Sequence, residues 1–116
     1  MRWWRYYRTA RGRDVVREEL RSLGTDAEAA VVAAMKRHRH GELLPYEEEH
    51  IGGDLHAIRV FLAGSTYRLL YSYEGKHDRV LLALHGIHKK DRKLPLRARR
   101  LAERRLRDWR GRATGV

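Results

Sequence analysis

The stretch Leu55–His88, LHAIRVFLAGSTYRLLYSYEGKHDRVLLALHGIH, decides how the chain folds. It contains three runs rich in aliphatic, aromatic and β-branched residues: Leu55–Leu62, Tyr67–Glu74 and Arg79–His88. Side chains of this kind pack well on a pleated, half-buried surface. The runs are joined by Ala63-Gly64-Ser65-Thr66 and Gly75-Lys76-His77-Asp78, both short and both carrying the glycine that a tight reversal uses. Three successive strands with short turns predict an antiparallel meander.

On the N-terminal side, Gly41–Gly53 reads as a loop with an acidic run, Glu47-Glu48-Glu49. Before it, an Ala/Val-rich segment ending near His40 predicts a helix. Thr25-Asp26-Ala27-Glu28 has the spacing of a capping box at its start. Asp14–Leu23 carries Val15, Val16, Leu20 and Leu23 at helical spacing, and Gly24 follows as a C-cap. Arg11-Gly12-Arg13 marks a turn, and the aromatic run Trp3–Tyr7 suits an opening strand. On the C-terminal side, Pro95 fits the first turn of a last helix reaching about Arg110. Leu101, Ala102, Leu106 and Trp109 form its apolar stripe and arginines crowd its other face. The expected order is strand, helix, helix, three antiparallel strands, helix. This is an α+β domain with a single antiparallel sheet and helices mainly on one face, the other face partly open.

The 116 residues fit one domain, 1–116, and an apolar content of 42% can build one modest core. There is no cysteine, which excludes disulfides, thiolate nucleophiles and Cys-based zinc sites. No apolar run follows the early arginines as in a signal peptide, and none approaches the length of a membrane span. A soluble, cytoplasmic protein is expected. Net charge is +11, and residues 88–112 alone hold twelve Lys/Arg against three Asp/Glu. So basic and so lopsided a chain points to a polyanionic partner.

Arg59 and Arg68 stand in the first two runs of the meander, each flanked by apolar residues. Alternation can place them in solvent or beside a carboxylate. Two guanidiniums on one sheet also suit a phosphate clamp. After the third run, His85 to Lys93 contains two imidazoles and four cationic side chains. Cleavage of RNA by its own 2′-hydroxyl needs a base, cations around the phosphorane and an acid for the leaving oxygen. Histidine suits the proton transfers, and Lys and Arg the charge. Tyr67, Tyr71 and Tyr73 share one parity. Most such side chains belong to a core, with Tyr71 the candidate for RNA contact. His38, His40, His50 and His56 show no ligand spacing with a carboxylate, so no metal or other cofactor is expected.

Three stretches carry a resemblance to a known family: Arg11–Leu20 with Leu23; Leu55-His56-Ala57-Ile58-Arg59 with Tyr67-Arg68-Leu69-Leu70-Tyr71; and Leu84–Pro95 with the basic helix behind it. In this order the chain resembles the phage-derived, HigB-like branch of the RelE/ParE toxins. The resemblance implies a RelE-like fold and the toxin of a type II toxin–antitoxin system. It implies an endoribonuclease that cuts mRNA, usually on the ribosome, without a metal. It also implies a cognate antitoxin, with a helix-turn-helix DNA-binding domain. Carried over by position, Arg59, Arg68, Lys89 and Lys90 are catalytic, and His88, where the family often has a basic residue, joins them; Tyr71, His85, Arg92, Lys93 and Arg97 are the candidate RNA contacts. The family's tyrosine after the paired basic residues has no counterpart in Leu94-Pro95-Leu96, so the general base stays open among His88, His85 and a lysine. Two other functions are compatible with the fold: a ParE-like gyrase inhibitor, disfavoured by the retained basic cluster, and a non-catalytic basic RNA-binding or ribosome-associated module.

Overall fold

The computed structural model describes residues 1–89 and 93–114. The meander forms as β3 (Leu55–Leu62), β4 (Ser65–Glu74) and β5 (Val80–Lys89), all antiparallel. The β3–β4 reversal is tighter than the four-residue connector suggested. Ala63 and Gly64 alone turn the chain, both at positive φ (50° and 79°), the backbone of a two-residue hairpin that follows the twist of its strands.

Two features of the sheet depart from the expectation. The segment read as an acidic loop supplies a strand, β2 (Glu48–Gly52), paired antiparallel with β3. The opening strand β1 (Trp3–Tyr6) lies against β5 in parallel. The sheet is therefore mixed and five-stranded, in the order β1-β5-β4-β3-β2. Glutamates are poor strand formers, so β2 left no local signal. Its carboxylates are instead neutralised by residues distant in sequence.

Helices α1 (Val15–Ser22) and α2 (Thr25–Arg39) are joined through Leu23 and Gly24. Gly24 ends α1, its amide reaching the Arg21 carbonyl, and opens α2, its carbonyl taking the Glu28 amide. Because one glycine at φ 101° performs both tasks, Thr25 already lies inside α2. No side-chain cap forms, and the expected capping box is absent. The last helix, α3, runs Leu96–Thr114.

Alternation along the strands divides the helices between the two faces. Ile58, Leu69, Tyr71, Leu81 and Ala83, all buried, share the face that meets α1 and α2. Trp4 fastens β1 there: its indole N–H donates to the Met35 carbonyl at 2.8 Å, and its ring meets Tyr71 edge-on. Leu55, Ala57, Leu70 and Leu82 share the opposite face, where α3 lays Ala98, Ala102 and Leu106. Thus α3 covers part of the face that was expected to stay open.

β1 pairs only with Val80–Ala83, so the rest of β5 would be a bare edge. α1 closes it. Glu19 accepts a hydrogen bond from the Gly86 amide at 3.1 Å. Leu20 packs so near Gly86 that a Cβ there would sit 2.8 Å from its Cδ2. Gly86 thus serves a close approach. The bulge in β5 falls at Leu84, between the pairs Leu70↔His85 and Tyr71↔Ala83.

Candidate active site

Arg59 on β3 and Arg68 on β4 are direct cross-strand partners on the α3 face. Glu49 of β2 pairs with Ala57 on the same face, and its Oε2 lies 3.6 Å from the Arg59 Nε and 3.8 Å from the Arg68 Nε. One carboxylate therefore holds two guanidiniums side by side. Arg59 also donates to the Tyr46 carbonyl at 2.7 Å and reaches over the exposed ring of Phe61. The two arginines differ in access. The Arg59 side chain is 30% exposed and that of Arg68 only 4%.

Ile87, the cross-strand neighbour of Arg68 on β5, lies on the floor of a groove of about 610 Å³ between the end of β5 and the first half of α3. Arg97, Arg100 and Arg104 line its helical wall, Leu96 and Leu101 add apolar surface, and His85 stands at its side. Among the described residues none of these three arginines has an ion-pair partner. Lys93 is exposed just before α3.

The His85 ring is fixed by Glu19, whose Oε1 is 2.8 Å from Nδ1. A neutral imidazole facing a carboxylate carries its proton on that nitrogen, which leaves Nε2 as the acceptor. Glu19 also takes the Arg105 guanidinium, at 3.1 and 2.9 Å. Burial pushes the Glu19 carboxyl up, but the bonds from His85 and Arg105 outweigh it and hold the group below its ordinary value. At neutral pH it is a carboxylate.

The structure does not bring every expected residue to this face. His88 is paired with Tyr67 and stacks on its ring at 4.6 Å, with its backbone position on the α1/α2 side of β5, although it still borders the groove. Tyr71 is wholly buried. Its hydroxyl contacts His38 Nε2 at 2.9 Å and Glu48 Oε1 at 3.0 Å, so it packs the core and has no surface for a base. Lys89 ends β5 at a register position opposite Thr66. Lys90 and Arg92 lie outside the described residues. Among the described residues no three His, Asp or Glu side chains are grouped as metal ligands, and no helix is long and apolar enough to cross a membrane.

Two site residues escaped the sequence reading, Glu49 and Glu19. The available signal was charge balance: an arginine inside an apolar strand asks for a carboxylate, and glutamates were to hand.

Comparison with known proteins identifies the family. The family model described as "Phage derived protein Gp49-like (DUF891)" matches residues 18–107. Two proteins named "Probable endoribonuclease HigB1", from Mycobacterium tuberculosis strains CDC 1551 / Oshkosh and ATCC 25618 / H37Rv, are each 30% identical over 93 residues, covering 79% of this chain and 72% of theirs. The matched span takes in α2, the whole meander and most of α3, and with them Glu49, Arg59, Arg68, His85 and the arginines of the groove. The chain belongs to the phage-derived Gp49-like (DUF891) family of RelE/HigB-like toxins.

Proposed function

We propose that the chain is the toxin of a type II toxin–antitoxin pair, an endoribonuclease that cleaves mRNA, on the ribosome, by attack of the 2′-hydroxyl on the adjacent phosphate. The observation that carries this reading is the Arg59–Arg68 pair beside a groove lined by three arginines without carboxylate partners. A planar guanidinium matches a phosphate, and a preset cationic site stabilises charge that develops on the phosphorane. The HigB1 relatives, named as probable endoribonucleases, support the same reading.

In this mechanism Arg59, the more open of the pair, meets the scissile phosphate. Arg68 lies beneath it, and Glu49 keeps the two guanidiniums in register. His85, with Nδ1 committed to Glu19, presents Nε2 to a proton from the 2′-hydroxyl. Lys89 and Lys90 serve as cations for the phosphorane and as proton donors to the 5′-oxygen. Attack forms the O2′–P bond, the P–O5′ bond breaks, and the products are a 2′,3′-cyclic phosphate and a 5′-hydroxyl. Lys93, Arg97 and Arg92 take flanking phosphates. His88, stacked on Tyr67 at the border of the same groove, is the alternative to His85 for proton transfer. An antitoxin, with a helix-turn-helix domain, would silence the toxin by laying an acidic or apolar surface over the cationic groove.

The test is expression without antitoxin of the wild type, Arg59→Ala and Arg68→Lys, with mapping of new 5′ ends on cellular mRNA and circular dichroism as the folding control. Growth arrest with cuts in translated frames, lost in folded variants, is the expected result. Growth arrest with intact mRNA would overturn the mechanism, and a supercoiling assay would then test gyrase.

A further inference from the structure

Arginines without a carboxylate partner gather in two concave places on the molecule. One is the groove just described. The other is a pocket of about 430 Å³ at the opposite end of the sheet, where Arg2, Arg39, Arg79, His40 and His77 converge and no acidic side chain lines the wall. Many arginines elsewhere are neutralised, among them Arg8, Arg13, Arg17, Arg37, Arg110 and Arg112. We propose that this pocket is a second phosphate site, which holds a stretch of RNA backbone separate from the one in the groove.

The pocket is assembled from three distant parts of the chain. Arg2 precedes β1, Arg39 and His40 end α2, and His77 and Arg79 flank the approach to β5. Arg39 turns only one donor to a protein atom, the Met1 sulfur at 3.4 Å, while its Nε is buried without an acceptor. A buried N–H lacking a partner is costly, and an incoming phosphate oxygen supplies one. Arg2 is held in place by the Asp78 carbonyl at 2.9 Å and by the face of Tyr73. Arg79 is exposed and has no ion-pair partner among the described residues. His77 and Asp78 both adopt left-handed backbone, at φ 60° and 54°, which residues with a Cβ disfavour. That strained turn sets the His77 ring at the pocket wall. Strain concentrated beside a cluster of donors is the pattern of a built binding site.

The second site is out of reach of a short strand bound in the groove. Arg79 and Ile87 are eight residues apart on an extended strand, ~25 Å at the usual rise. A strand of a few nucleotides bound at Arg59 and the groove therefore leaves the pocket empty. A long or folded RNA can fill both. The inference rests on RNA as the partner of this chain, not on its cleavage.

The experiment measures binding of two uncleavable 2′-O-methyl oligonucleotides, of about four and about thirty residues, by fluorescence anisotropy across a salt series. The proteins are wild type, Arg79→Glu, Arg39→Ala/Arg79→Ala and, as the groove control, Arg59→Ala. For the long strand, the double variant should bind roughly tenfold more weakly. Its log K against log salt should be shallower by about 1.4, as two lost phosphate contacts on a single strand require. For the short strand it should match wild type, while Arg59→Ala weakens both. The exposed Arg79→Glu guards against misfolding and should lower long-strand affinity on its own. Unchanged long-strand affinity and slope would overturn the second site, as would an equal loss with the short strand. RNA cut in cells together with an unchanged slope refutes only this site. A reduced slope without cleavage refutes only the mechanism above.

Discussion

Replacing Glu19 with alanine should destabilise the protein by about 3 kcal/mol. Its carboxylate accepts from His85 Nδ1, the Gly86 amide and the Arg105 guanidinium, at distances of 2.8 to 3.1 Å. Its partners are nearly enclosed: the Arg105 side chain is 12% exposed and that of His85 13%. A neutral hydrogen bond contributes about 1 kcal/mol net, and one to a charged group about 1.5–3 kcal/mol. Arg105 keeps the Leu84 carbonyl at 2.8 Å, which offsets part of its loss. The remaining contacts sum to about 3 kcal/mol, or a fall in Tm of roughly 10 °C for a domain of this size. Glu19→Gln keeps the shape and one acceptor, so about half that loss is expected. The sign with pH is also fixed. The carboxyl is held below its ordinary 4.5, so its contribution is complete above about pH 4.5 and is lost as pH falls through the lower folded value. Urea unfolding of wild type, Glu19→Gln and Glu19→Ala at pH 7.5, and of the first two again in acid, reads all of this. An alanine variant within about 0.5 kcal/mol of wild type at pH 7.5 would refute the idea that this carboxylate closes the β5 edge and ties α1 to α3.

Two further outcomes follow from the buried polar cluster on the other face. Tyr71→Phe removes the hydroxyl between His38 and Glu48 and should cost about 1–1.5 kcal/mol while RNA cleavage is unchanged. A loss of RNA affinity at full stability would instead restore Tyr71 as an RNA contact. Burial lowers the pKa of both His38 and His56, so below about 6.5 the unfolded chain takes up protons that the folded one resists. Their contribution is present above that pH and lost as pH falls from it through the folded values. Wild type should therefore weaken between pH 7.5 and 5.5 more than a His38→Gln/His56→Gln variant does in a parallel denaturation series, and equal slopes would exclude these two residues as the cause.

Local pattern was sufficient for the meander, the first two helices and the basic last helix, because each depends on periodicity and turn chemistry within a few residues. Leu55–Leu62 alternates, Gly24 stops a helix, and Pro95 starts one. The pairing of Arg59 with Arg68 was not among these, since a four-residue connector would set Arg59 opposite Leu70, and only the two-residue turn at Ala63-Gly64 sets it opposite Arg68. The family was legible because its stretches lie on those local elements.

What the tertiary structure alone decided is where charges meet and which face each strand end shows. Glu19 finds His85 and Arg105 at separations of 66 and 86 residues, and no local spacing encodes such a contact. β2 is a strand because its glutamates are neutralised from both sides, Glu48 by the Tyr71–Tyr73 hydroxyls and Glu49 by the two arginines. β1 lies parallel to β5 because Trp4 and Tyr6 bury themselves against α2, an outcome set by packing. The bulge at Leu84 and the register beyond it set His85 beside Glu19 and stack His88 on Tyr67, although the two stand three residues apart in one basic run. The sequence determined which side chains this protein carries for binding a polyanion. Long-range pairing of charge and pleat determined which of them stand together.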